Sequence, residues 1–102
     1  MLQMFKSLFS PVQVDYKELV QNGAVIIDVR SPQEYQSGHI QKSINIPLDQ
    51  IQKRIAEIKK MNKTVITVCK SGARSAMAKT WLANASITVY NGGGWNSLSG
   101  KI

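Results

Sequence analysis

The chain predicts an α/β fold: a single domain with a mainly parallel central sheet of about five strands and helices on both faces. Two observations carry this. Short, β-branched apolar runs alternate along the chain with segments that bear helix-start signals, and that order is characteristic of α/β layers. The length of 102 residues, with 43% apolar and 7% aromatic, leaves room for one modest core and no second one.

Residues 12–14 read as a short first strand. Asp15 then stands at a helix N-cap with Glu18 three residues on, and Asn22-Gly23 ends that helix. Ala24-Val25-Ile26-Ile27-Asp28-Val29 reads as a central strand. Ser31-Pro32-Gln33-Glu34 is a second capping box, with proline at the first helical position, and predicts a short helix to about Ser37, stopped by Gly38. Ile44-Asn45-Ile46 suggests a brief strand. Pro47 introduces a helix whose Leu48, Ile51, Ile55 and Ile58 share one face, leaving Lys53, Arg54 and Lys60 to solvent. Thr64-Val65-Ile66-Thr67-Val68 reads as a buried strand, residues 73–83 as a helix carrying Met77, Trp81 and Leu82, and Ser86-Ile87-Thr88-Val89-Tyr90 as a last strand. Gly92-Gly93-Gly94 then reads as a turn that brings Trp95 near the loop described next; its spacing matches no dinucleotide or P-loop motif. Domain organisation follows as a short apolar N-terminal segment, 1–11, and one domain, 12–102.

The lone cysteine, Cys69, opens the turn Cys69-Lys70-Ser71-Gly72-Ala73-Arg74-Ser75 between a strand and a helix. The first N–H groups of a helix lack partners within it and favour an anion, and a thiolate is one such anion. A cysteine with pKa near ~8.5 is a weak nucleophile at neutral pH, but a helix N-terminus with neighbouring Lys or Arg lowers it to roughly 3.5–7.5. Lys70 and Arg74 supply that charge. A free cysteine is often a small apolar filler. A filler, however, has no use for Gly72, which permits a tight turn, or for two cations within five residues.

Composition excludes several classes. One cysteine forms no internal disulfide, and with a single histidine there is no metal-binding spacing, so the expectation is a reduced, metal-free protein of the cytoplasm with no cofactor. No apolar stretch approaches the ~20 residues of a membrane span. The segment 1–9 is too short, and its Lys6 too central, for a signal peptide; Met1, Met4, Phe5 and Leu8 would share a helical face able to dock on the domain itself. Net charge is +7, and all of it arises between Lys42 and Lys79, where nine Lys or Arg oppose Asp49 and Glu57. The basic run lacks interleaved aromatics, which argues against nucleic acid and for a field that draws small anions or an acidic partner protein toward Cys69.

Five separated segments, Asp28-Val29-Arg30, Glu34-Tyr35 with Gly38-His39-Ile40, Ile44-Asn45-Ile46-Pro47, the loop from Cys69 to Ser75, and Gly92-Gly93-Gly94-Trp95, together resemble a single-domain rhodanese of the sulfurtransferase family over residues 12–102. The resemblance implies that Cys69 takes the outer sulfur of a small anionic donor such as thiosulfate as a persulfide. It would then pass that sulfur to cyanide, a thiol or an acidic acceptor protein. Lys70, Ser71, Gly72, Ala73, Arg74 and Ser75 would form the substrate cradle. Asp28 and Arg30, following a core strand, are read as structural, pairing with charges or capping backbone, and His39 as a turn histidine bonded to backbone rather than a base. Two departures stand out: Gln41-Lys42-Ser43 replaces a small, glycine-containing stretch, and Lys70 stands where arginine is frequent, retaining charge without the planar fork.

A phosphatase or arsenate reductase also uses Cys, a backbone cradle and Arg. Here four residues separate Cys69 from Arg74, against five in the phosphatase pattern, and no second cysteine is present. A persulfide carrier that docks a partner with little thiosulfate turnover fits the same residues. A purely regulatory module does so less well, since it would need neither Cys69 nor Arg74.

Overall fold

In the computed structural model, which describes residues 13–102, the chain runs α1 (Tyr16–Gln21), β1 (Val25–Asp28), α2 (Pro32–Gln36), β2 (Ile44–Asn45), α3 (Leu48–Ile51), a 3-10 turn (Gln52–Arg54), α4 (Ile55–Lys60), β3 (Val65–Cys69), α5 (Ala73–Asn84), β4 (Val89–Gly94) and α6 (Trp95–Ser99). The helix starts are made by the side chains that signalled them. Asp15 accepts the Glu18 N–H at 3.0 Å. Ser31 and Glu34 form the reciprocal box, each side chain taking the other's backbone N–H.

The strands form one all-parallel sheet in the order β2-β1-β3-β4. The chain leaves β1 toward β2 on one side and returns to β3 on the other, so the loops after β1 and β3 open side by side. Ligands in open α/β sheets gather at such a reversal, outside the carboxyl ends of the strands. Strand alternation divides the core into two layers. Ile27, Val29, Val65 and Cys69 face one side, with Ile51, Ile58, Ala78 and Leu82 from α3 to α5; Ile26, Ile66 and Val68 face the other, with Leu98 of α6 and the partly buried Tyr16, Leu19 and Val20 of α1. Helices thus cover both faces.

The carboxyl end of β1 carries a buried ion pair. Asp28 is 0% and Arg30 4% exposed, and Nη2 of Arg30 lies 2.7 Å from Asp28 Oδ2. Nε donates to the same carboxylate, Nη1 to the Glu34 carbonyl and Nη2 to the Gly38 carbonyl. The guanidinium also lies 4.7 Å over the Trp95 ring. These contacts agree with the structural role expected of both residues and clamp α2 and its following turn onto β1.

Three local expectations are corrected. Gln13 and Val14 join no strand; Val12 and the segment 1–11 fall outside the described residues. The helix after Pro47 is broken where Arg54 leaves helical geometry (φ −113°, ψ 15°), with no Gly or Pro to announce it. The last strand begins at Val89 and takes in the glycine run that reads as a turn, while Ser86 adopts a positive φ of 66° ahead of it. The reason is space. A Cβ on Gly92 would stand 2.8 Å from Ile66 Cγ2 and 3.0 Å from Val68 Cγ1, so β4 approaches the core here only because side chains are missing. Trp95 packs over Arg30 and against Gly38, in the α1/α6 layer.

Gly92→Ala should therefore overpack that layer and destabilise the protein by about 1–3 kcal/mol, read as a lower urea midpoint at unchanged m-value.

Candidate active site

β3 is buried along its whole length and delivers Cys69 to the switch point with its side chain on the α5 side, 1% exposed. Gly72 then reverses the chain at φ +110° and serves as the N-cap of α5. The turn aims the Gly72 N–H at Sγ, 3.0 Å away. Ser75, one turn into the helix and fully buried, brings its hydroxyl to 3.4 Å from Sγ. Gly94 is needed from the other side, since a Cβ there would sit 2.7 Å from the Lys70 carbonyl.

Burial raises the Cys69 thiol, but the Ser75 hydroxyl and the backbone N–H groups of Ser75, Gly72 and Ser71 outweigh it, leaving the pKa below its ordinary value. The donors are therefore a neutral hydroxyl and amides. Lys70 and Ser71 are exposed at the rim, with Ala73 beside them on the first turn of α5. Arg74 is not an open cation: Nη1 and Nη2 grip Glu34 Oε1 and Oε2 at 2.7 and 3.0 Å. Its pKa is raised first by that hydrogen bond, and the sulfur's charge adds a smaller push in the same direction. The loop residues named from sequence thus gather in one place, but the expected charge from Arg74 is shared with Glu34.

Three participants were not legible as such in the sequence. Glu34 was absorbed by its capping motif, and its second role needs α2 to sit beside the loop. Thr67, buried two residues before Cys69 on the same strand face, donates to the Ser75 carbonyl at 2.9 Å; a polar residue inside an apolar strand was the available signal. Asn91 reaches Ser75 from β4, with Oδ1 2.6 Å from Oγ, and nothing local marks it. His39 stacks on Tyr35, ring centroids 3.7 Å apart, and Nδ1 lies 2.7 Å from the Tyr35 carbonyl, so it is the backbone-bonded turn histidine expected. Beside the loop runs a mainly apolar groove walled by Val29, Pro32, Pro47, Leu48, Trp81 and Arg74. Among the described residues no cluster of His, Cys, Asp and Glu is arranged to hold a metal ion, and no helix is long and apolar enough to cross a membrane.

The rhodanese-like domain family model matches residues 12–99. Thiosulfate sulfurtransferase PspE of Escherichia coli (strain K12) is 41% identical over 75 residues, 72% of either chain. The putative sulfur carrier protein YrkF of Bacillus subtilis is 42% identical over 53 residues, 52% of this chain and 28% of that protein. Among solved structures, a rhodanese with anions from E. coli superposes with a TM-score of 0.66 at 39% identity, covering 72% of this chain and 89% of that one.

The Glu34 carboxyl is held at about 2 by the Arg74 guanidinium and then by the Ser31 N–H, against an ordinary value of 4.5. A carboxyl depressed in the fold stabilises it above the unfolded pKa and loses that contribution as pH falls toward the folded one. Wild type should lose stability between pH 4.5 and about 2, whereas Glu34→Gln, which keeps the cap but not the charge, should lose less across that window. Urea denaturation at a series of pH values measures the difference, which is modest because the pair is partly screened.

Proposed function

The chain belongs to the rhodanese-like domain family, with a thiosulfate sulfurtransferase among its relatives, and from that premise we propose that it moves a sulfane sulfur from thiosulfate or a similar anionic donor to a thiophilic acceptor through a Cys69 persulfide. The observation that carries this is the sulfur of Cys69 lying among the Gly72 N–H and the Ser75 hydroxyl at the end of β3. A thiolate stabilised there attacks the outer sulfur of thiosulfate. The new S–S bond forms as the old one breaks, and sulfite departs with the bonding pair. Cyanide or a thiol then takes the outer sulfur and the thiolate returns. No external oxidant or reductant enters.

Burial of Cys69 suits this order of events. The persulfide adds a sulfur about 2.05 Å further out, so the transferable atom is what an acceptor meets, while the anchoring sulfur keeps its donors. Lys70 at the rim draws the anionic donor, and the basic stretch from Lys42 to Lys79 adds a longer-range pull. The shorter loop, with four residues between Cys69 and Arg74, and an Arg74 occupied by Glu34 both argue against a tetrahedral phosphate. A reducing cytoplasm would keep the single cysteine a thiol between turnovers.

The second reading is a carrier that receives its sulfur from another protein. Its support is the likeness to YrkF together with the apolar groove beside the loop, which offers an acceptor protein a place to rest.

Intact-mass measurement of the reduced protein after brief thiosulfate exposure and desalting should show the gain of one sulfur, absent in Cys69→Ser and lost to cyanide with release of thiocyanate. No gain from thiosulfate but a gain from a persulfide donor would select the carrier reading. Full transfer activity in Cys69→Ser would defeat both.

A further inference from the structure

Asn91 belongs to β4, yet its side chain is bound into the Cys69 loop. In the parallel register Asn91 lies beside Thr67, and alternation puts Thr67 and Cys69 on one strand face, so Asn91 shares the side of the sheet that holds the sulfur. A bulge follows, because the ladder steps from Thr67 opposite Asn91 to Cys69 opposite Gly94, with Gly93 at φ +79°. The bulge turns the Gly93 N–H back onto Asn91 Oδ1 at 2.9 Å. A donor there requires oxygen, which settles the orientation of the amide. Oδ1 then faces Ser75 Oγ at 2.6 Å, and Nδ2 donates to the Gly72 carbonyl at 3.2 Å.

The Ser75 hydroxyl has one proton to give and three acceptors in reach: Asn91 Oδ1 at 2.6 Å, the Gly72 carbonyl at 3.0 Å and Cys69 Sγ at 3.4 Å. The Gly72 carbonyl already receives the Ala76 N–H and Asn91 Nδ2. While Cys69 is a thiol, the proton belongs on Asn91 Oδ1, the nearest acceptor, and the Ser75 oxygen accepts the S–H. A thiolate gives no proton and needs a donor, so the hydroxyl has to turn.

We infer that Asn91 is a positioning residue that sets the Ser75 hydroxyl in one of two states: toward Oδ1 when Cys69 is a thiol, and toward sulfur when it is a thiolate. Oδ1 retains the Gly93 N–H after the turn, so no buried polar atom is orphaned. Because turning gives up the shorter bond, Asn91 competes with the sulfur for the same proton and restrains its ionisation. The charged groups around the loop are Lys70, Arg74 with its Glu34 partner on α2, and the Asp28–Arg30 pair at the end of β1. All of them stay in place in the variants below.

The inference rests on Cys69 as the reactive sulfur, but its test uses no sulfur donor, so it stands or falls separately from the transfer reaction. Cys69 is the only cysteine, so the ultraviolet absorbance as a function of pH, taken as a difference against the same protein carrying Cys69→Ser to cancel the tyrosine phenolates, reports its thiolate. Asn91→Ala should lower the midpoint, raising the thiolate-to-thiol ratio at a given pH about threefold, the scale of one neutral hydrogen bond. Ser75→Ala alone should raise the midpoint, and adding Asn91→Ala in that background should leave it where it is. Asn91→Leu, of similar size and without an acceptor, should repeat the downward shift and guards against a void loosening the loop. A midpoint that is unmoved or raised by both Asn91 variants, or that shifts equally with and without Ser75, would overturn the inference and leave Asn91 as a brace.

Discussion

Asp28 and Arg30 meet at the carboxyl end of β1 with almost no access to water, and the side of the Cys69 loop that Glu34 and Arg74 make depends on that contact. A guanidinium has five N–H donors in a rigid plane. Here they are spread over the Asp28 carboxylate and the carbonyls of Glu34 and Gly38, so one side chain fixes the end of a strand, a helix and the turn after it. Such a pair adds little stability over a well-packed apolar substitute, because both charges have left water; removing one partner is what costs. Its contribution is geometric. With α2 clamped in this way, the Glu34 side chain both caps its own helix and reaches the Arg74 fork.

That second contact changes what the loop offers a ligand. Two cations flank Cys69 in the sequence, but one is neutralised by Glu34 and the other sits at the exposed rim. The depressed thiol therefore owes its state to short-range donors, the Ser75 hydroxyl and the N–H groups of the turn, working against burial. Salt screens exposed charges from one another beyond about 8–10 Å, whereas buried groups are screened much less. The ionisation of the thiol is thus set by the turn, and the basic half of the chain is left for attraction at longer range.

The close approach of backbone to backbone makes this turn possible. Gly72 leaves the allowed region of other residues, and Gly94 lets β4 come against the Lys70 carbonyl. The same glycine run that looks like a loose connection is a strand packed too tightly for side chains at Gly92 and Gly94, and its bulge turns the Gly93 N–H onto Asn91, whose side chain reaches the loop.

The sequence by itself determined the elements that depend on neighbours within a turn or two. The Ser31–Glu34 box, the buried strand before Cys69, the turn at Gly72 and the α/β layering were all legible, because caps and apolar periodicity act over three or four residues. The position of Cys69 at a strand end was legible for the same reason. The course of β4 was misread because glycine in a strand and glycine in a turn look alike until the packing partner, here Ile66 and Val68, is known. Tertiary structure alone decided the side-chain partners of the site. Glu34 and Arg74 are 40 residues apart, and Ser75 and Asn91 are 16 apart. They meet only because the sheet order β2-β1-β3-β4 sets the loops after β1 and β3 side by side and lays β4 along β3, and no local propensity encodes that order.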